Sequence, residues 1–197
     1  MYKVTPWTAE LDLTGFYTEA ARRGFENNSS QKSMVDCFAK EKHKQIWILY
    51  HNSEPVGSVA AHSFPEMGED AYRIAARTCV FTDKLPGVYG KALRTISVIT
   101  DHQNPTAQFL IPTCIAWTPP WADLYITSNE NSVGTQRLVH NIFAPAMEHL
   151  GLMKQVKKMD YRGTRQTVWQ LFPDRFLKDL ESYHRWPLDD YSFTTPK

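Results

Sequence analysis

The chain has 197 residues, 42% hydrophobic and 22% charged, which is ample apolar material for one medium-sized folded core. A formal net charge of +1 gives no global field to draw it to nucleic acid or a lipid surface, and no apolar run approaches the ~18 residues of a membrane helix. Its three cysteines, Cys37, Cys79 and Cys114, are odd in number and far apart, which fits neither a disulfide framework nor zinc spacing.

The first residues, MYKVTPWTAELDL, contain no apolar h-region, and free thiols suit a reducing compartment, so the expected setting is cytoplasmic. Residues 7–24 have a helical pattern with Leu11, Phe16 and Ala20 near one face, Thr8 as a cap and Gly24 as a stop. A second helix is predicted over 30–41. QIWILY, residues 45–50, reads as a strand, and HNSE turns it into a return strand, VGSVAAHSF. After a turn over 65–70, residues 71–82 read as a longer strand.

Residues 80–93, VFTDKLPGVYGKAL, read as a strand end, a tight turn and a helix start. That order presents a row of backbone N–H groups, with roughly +0.5 of a charge from the helix dipole, as an anion site. The competing reading is a plain strand-to-helix connection. A helix over 90–101 follows. Residues 106–117 fit either a short helix kinked at Pro112 or an irregular buried segment. Residues 122–127, ADLYIT, form a strand. A helix over 135–150 should bend at Pro145 and stop at Gly151. Residues 152–160 and 164–172 form a final strand pair, 173–186 a terminal helix, and 188–197 a loose tail. The expected organisation is one domain over 1–187 plus that tail, in the α/β class: an α+β mixed sheet with helices on its faces.

This order of elements resembles the GNAT superfamily of N-acetyltransferases over roughly residues 47–172. Gly87-Val88-Tyr89-Gly90-Lys91-Ala92 is similar to the family's pyrophosphate turn without its opening Gln or Arg. Tyr125-Ile126-Thr127-Ser128-Asn129-Glu130-Asn131 resembles its strand followed by an Asn-bearing helix start. His149-Leu150-Gly151-Leu152 resembles its helix ending, with Met147 where the family usually has a Tyr. The resemblance implies a central, mostly antiparallel, twisted sheet flanked by helices, and an enzyme that moves an acetyl or other acyl group from acetyl-CoA to a primary amine of a small molecule or protein. It implies cofactor contacts at Cys79, Val80, Phe81 and Thr82, at Gly87, Val88, Tyr89, Gly90, Lys91 and Ala92, and at Asn129 and Asn131. Two alternatives stand beside it: a nucleic-acid-modifying acyltransferase of the phage type, and a non-catalytic acyl-CoA-binding module of the same fold.

Amine transfer needs a base for an amine of pKa about 10.4 and an acid for the leaving thiolate. Glu69, Asp70, Asp83 and Asp101, with His62 and His102, are candidate bases, Asp83 also fitting a residue that shapes or caps the turn; Tyr89, Tyr125 and Ser128 are candidate acids. No metal is expected: His140 and His149 are nine residues apart and share no helix face. Lys154, Lys157, Lys158, Arg162, Arg165, Arg175 and Lys178 make a local basic excess, which suits a solvated hairpin, a nucleic acid or the 3′-phosphate of CoA. The expected partner is an amine substrate, with nucleic acid as the second choice, no membrane, and a monomer or homodimer.

Overall fold

The sequence YKVTP begins the sheet as β1, Tyr2–Pro6, and pairs antiparallel with β2, Lys44–His51. β2 turns into β3, Glu54–Ser63, through Asn52 and Ser53, both with positive φ (48° and 69°), as a two-residue hairpin turn requires. A single turn of 3-10 helix, Pro65–Met67, leads to β4, Ala71–Ile74. The remaining strands are β5 Cys79–Val80, β6 Asp123–Asn129, β7 Met153–Tyr161 and β8 Thr164–Leu171. The structure, a computed structural model, describes residues 2–8, 10–22, 42–74, 79–80, 110–131 and 144–182.

The strands form one mixed sheet in the order β1-β2-β3-β4-β6-β8-β7, with β5 on β3. Among the described residues every pairing is antiparallel except β4 with β6. Successive side chains of a strand face opposite ways, and both faces of β2 are apolar. Ile46 and Ile48 meet α1, Thr14–Arg22, through Phe16, Tyr17 and Ala20. Trp47 and Leu49 belong to the larger core on the other face. That core also takes Ile111 and Cys114 from α2, Ile111–Trp117, Met147 from α3, Ala144–His149, and Phe176 from α4, Pro173–Ser182.

The elements depart from the sequence expectation at several ends. β1 was not anticipated: it is a five-residue edge strand closing on Pro6, and its alternation rests on Tyr2 and Val4 alone. α1 starts at Thr14 rather than residue 7, because the Asp12 carboxylate accepts the Thr14 N–H (3.0 Å) and sets the first turn there. Residues 111–117 resolve to a helix, with Pro112 tolerated in its first turn, where no intrahelical N–H bond is lost. Gly151 does stop a helix: at φ 68° it lets the Leu152 N–H reach Met147 O and its own N–H reach Glu148 O, both at 2.9 Å, a Schellman ending. Pro145 is the second residue of α3 as described. The helices expected over 30–41 and 90–101, the start of that over 135–150, and the tail over 188–197 lie outside the described residues.

Candidate active site

The parallel junction between β4 and β6 is short. Ala71 to Ile74 pair in register with Asp123 to Ile126. Residues 75–78 lie outside the described residues, and beyond them the described residues of the two sides ladder to other strands. Cys79 and Val80 pair with Ser58 and Gly57 of β3, while Thr127, Ser128 and Asn129 pair with Val168, Thr167 and Gln166 of β8. Between Ile74 and Cys79 one side advances five residues while β3 advances three, from Ala61 to Ser58, so pairing to β3 resumes two residues out of register. Among the described residues the β4–β6 ladder ends at Ile74–Ile126, and the described residues beyond it are held by ladders on the far edges, a wedge of ladders with its apex at that pair.

One face of the apex carries a buried polar centre. Arg73, 4% exposed, sits opposite His62 on β3 and Tyr125 on β6. Its Nε donates to Thr127 Oγ1 at 2.7 Å, and its Nη1 lies 3.3 Å from His62 Nε2. Its guanidinium lies over the Tyr161 ring, 4.6 Å from the centroid, and Tyr161 meets Phe64 edge-on at 5.4 Å. Burial, reinforced by the Arg73 charge, pushes the His62 pKa down from 6.5 to about 4. The imidazole is therefore neutral: Nδ1–H donates to Ser63 O (2.6 Å), and the Nε2 lone pair accepts from Arg73. Both ring nitrogens are engaged, which removes His62 from the candidate bases.

No protein-family model matches the sequence, and no curated protein matches it. Solved structures share its fold. FeeM, an N-acyl amino acid synthase from uncultured soil microbes, aligns at TM-score 0.53 and 8% identity over 95% of this chain and 99% of its own. The aminoglycoside N-acetyltransferase AAC(6')-Ib11 aligns at 0.52 and 12% over 89% and 99%, and an acetyltransferase from Thermus thermophilus at 0.51 and 14% over 87% and 97%. The chain shares the fold of these structures, the GNAT-like mixed sheet flanked by helices.

Within this GNAT-like sheet the candidate residues are dispersed. Tyr125, 6% exposed, shares the face of Arg73, and burial, with a smaller push from the Asp123 carboxylate, holds its phenol above the usual range. Ser128, 4% exposed, is three residues on and faces the opposite side of β6, so the two cannot act on one atom from the same face. Asn129 Oδ1 accepts the Asn131 N–H at 2.8 Å, a turn that closes β6. Cys79 and Val80 lie in β5 at the wedge. Phe81, Thr82, Asp83, Gly87, Val88, Tyr89, Gly90, Lys91 and Ala92 lie outside the described residues, as do Asp101 and His102. Glu69 and Asp70 are exposed in the turn before β4. Met147, 1% exposed, belongs to the core and offers no proton.

Several of the basic side chains near β7 have partners within the chain. Lys158 pairs with Glu130 (2.6 Å), Arg165 with Asp160 (3.5 Å), and Arg175 donates to Gly151 O (3.2 Å). β7 is an edge strand, and exposed lysines there discourage edge-to-edge pairing. Among the described residues, no three His, Cys, Asp or Glu side chains cluster as metal ligands, and no helix is long and apolar enough to cross a membrane.

Sequence reading missed Arg73, Thr127 and Gln166 as members of this site. A lone Arg inside the apolar run AYRIAA was the one available signal for the first.

Proposed function

We propose that the protein is an acyl-CoA-dependent N-acyltransferase that moves an acetyl group from acetyl-CoA to a primary amine of a small molecule or protein. The observation that carries this reading is the wedge. Two strands that share a junction and are each laddered on the far side beyond it would, on this reading, part to leave a slot where an extended chain can add like a strand. The pantetheine arm of CoA, with its two amides, has that shape and chemistry. The names of the three structural neighbours, an amino-acid N-acyl synthase, an aminoglycoside N-acetyltransferase and an acetyltransferase, support the same reaction class.

The backbone of Cys79 and Val80 on one side and of Thr127 to Asn129 on the other would hold the arm, and the 87–92 turn would hold the pyrophosphate. Acetyl-CoA, when bound, supplies a thioester carbonyl carbon that an amine lone pair can attack, with the thiolate leaving. Asp83 is the proposed base that keeps the amine neutral. Tyr125, like any phenol, is protonated at neutral pH, and burial raises its pKa further; the protonated form is the one that would donate to a leaving thiolate. Ser128, from the other face, is the alternative donor.

Thermal melting with and without acetyl-CoA tests the reading. A ligand at one hundred times its Kd stabilises by about 2.7 kcal/mol, so a rise of several degrees is expected. An unmoved Tm at millimolar acetyl-CoA counts against the proposal.

A further inference from the structure

The face that carries Arg73 also holds a polar atom with no described partner. Gln166, 3% exposed, lies on β8 opposite Asn129 of β6 and Met159 of β7. Its amide nitrogen donates to Thr164 Oγ1 at 2.7 Å, and that hydroxyl donates to Tyr161 O at 3.1 Å. The Thr164 proton is thereby committed, so the end of the amide that meets Thr164 is the nitrogen. The other end, Oε1, is buried without a hydrogen-bond partner among the described residues. Such an atom weakens the fold, and a protein keeps it where something else requires it.

Strand register places Gln166 beside the wedge. Asn129 is on the wedge's β6 side, and Gln166 is its direct partner, one strand or roughly 5 Å away. Gln166 is two residues from Val168, which pairs with Thr127, so Gln166, Thr127 and Arg73 share one face of the sheet. We propose that Gln166 Oε1 accepts an N–H of the acceptor amine, and that the acceptor reaches the wedge from this face. A buried carbonyl oxygen calls for a donor. An amine nitrogen brings N–H groups to it, whereas a substrate carbonyl or phosphate would oppose lone pair to lone pair. The inference rests on the acyltransferase reading and adds the side of the sheet from which the acceptor binds and the atom that holds it.

Gln166→Met is the test, because it keeps the length of the side chain and removes the oxygen; it also removes the amide N–H that meets Thr164, so Thr164→Val, which loses that same hydrogen bond, is run beside it. Melting curves, calorimetric titration with acetyl-CoA, and thiol release from acetyl-CoA in the presence of propylamine, glycine, spermidine or kanamycin are compared with the parent protein. The expected Gln166→Met variant melts no lower than Thr164→Val, binds acetyl-CoA within about twofold of the parent, and shows a KM for the accepted amine about tenfold higher than the parent, the loss of one hydrogen bond. An unchanged amine KM overturns the inference, and so does a Tm several degrees below that of Thr164→Val, which would mean that the carbonyl serves the fold. A parent protein that binds acetyl-CoA but releases no thiol with any of these amines also overturns it. A parent protein that does not bind acetyl-CoA overturns the acyltransferase reading beneath it.

Discussion

Arg73 on β4 and Thr127 on β6 are joined by a 2.7 Å side-chain hydrogen bond that crosses the apex of the wedge. Arg73 has Tyr125 as its backbone partner, yet its side chain reaches two residues further, to the first β6 residue beyond the parallel ladder. The bond therefore ties the two strands at the end of their described ladder. Burying a guanidinium is costly, and here the cost is offset by aromatic faces and by a histidine kept neutral to accept from it.

Thr127→Val should destabilise the protein by about 2 kcal/mol, since hydrogen bonds to charged groups are worth about 1.5–3 kcal/mol and the valine leaves a buried donor short of its acceptor. Thr127→Ser keeps the oxygen and should cost less than about 1 kcal/mol. Urea unfolding measures both. A double-mutant cycle with Arg73→Met should show that the two losses are not additive; additive losses would mean that the bond contributes little.

His62 gives the stability a defined pH dependence. Its folded pKa, about 4, lies below the ordinary 6.5, so the unfolded chain binds the proton more readily. The contribution is fully present above about pH 6.5 and is lost as pH falls through about 4. The shift corresponds to about 3 kcal/mol. Denaturant unfolding at a series of pH values should show this decline, and His62→Gln should flatten it. A wild-type curve level between about pH 6.5 and 4 would contradict a neutral, buried His62.

The hairpins and the Gly151 stop were legible in the sequence because their signals are local. QIWILY, its polar turn and VGSVAAHSF announce a strand pair within about 20 residues, and Gly151 supplies the one backbone conformation that a Schellman ending needs. The start of α1 was misread because the apolar periodicity runs on through Trp7 and Leu11, both of which pack against the core from outside the helix. The Arg73–Thr127 centre was not legible at all. Its members are 54 residues apart, and they meet only because β4 and β6 pair in parallel in one register. The orphan oxygen of Gln166 was equally hidden, since a Gln in a strand reads as an ordinary surface residue until its neighbours are known.

The two hairpin turns offer opposite tests. The Arg162–Gly163 turn joins β7 to β8 with φ of 53° and 77°, and the Asn52–Ser53 turn has the same double-positive form. Gly163→Ala should cost about 1 kcal/mol although a Cβ there meets nothing within 4 Å, because the penalty is conformational. Ser53→Gly should gain about 0.5–1 kcal/mol by relieving the same strain. Thermal melting of both variants checks the pair; equal and negligible shifts would show that neither turn is strained.

Met147 stands where the GNAT resemblance implies a Tyr that protonates the leaving thiolate. In this chain the position belongs to the core: Met147 is 1% exposed, in one cluster with Leu152, Met153 and Phe176, and its carbonyl accepts the Leu152 N–H that closes α3. A tyrosine there would overfill the cluster and bury a hydroxyl. Met147→Tyr should therefore destabilise the protein by about 2 kcal/mol and should add nothing to the rate of thiol release from acetyl-CoA. Urea unfolding and a thiol-release assay measure the two effects separately. A stable variant with faster release would move the proposed proton donor from β6 to this helix, and would make Tyr125 dispensable.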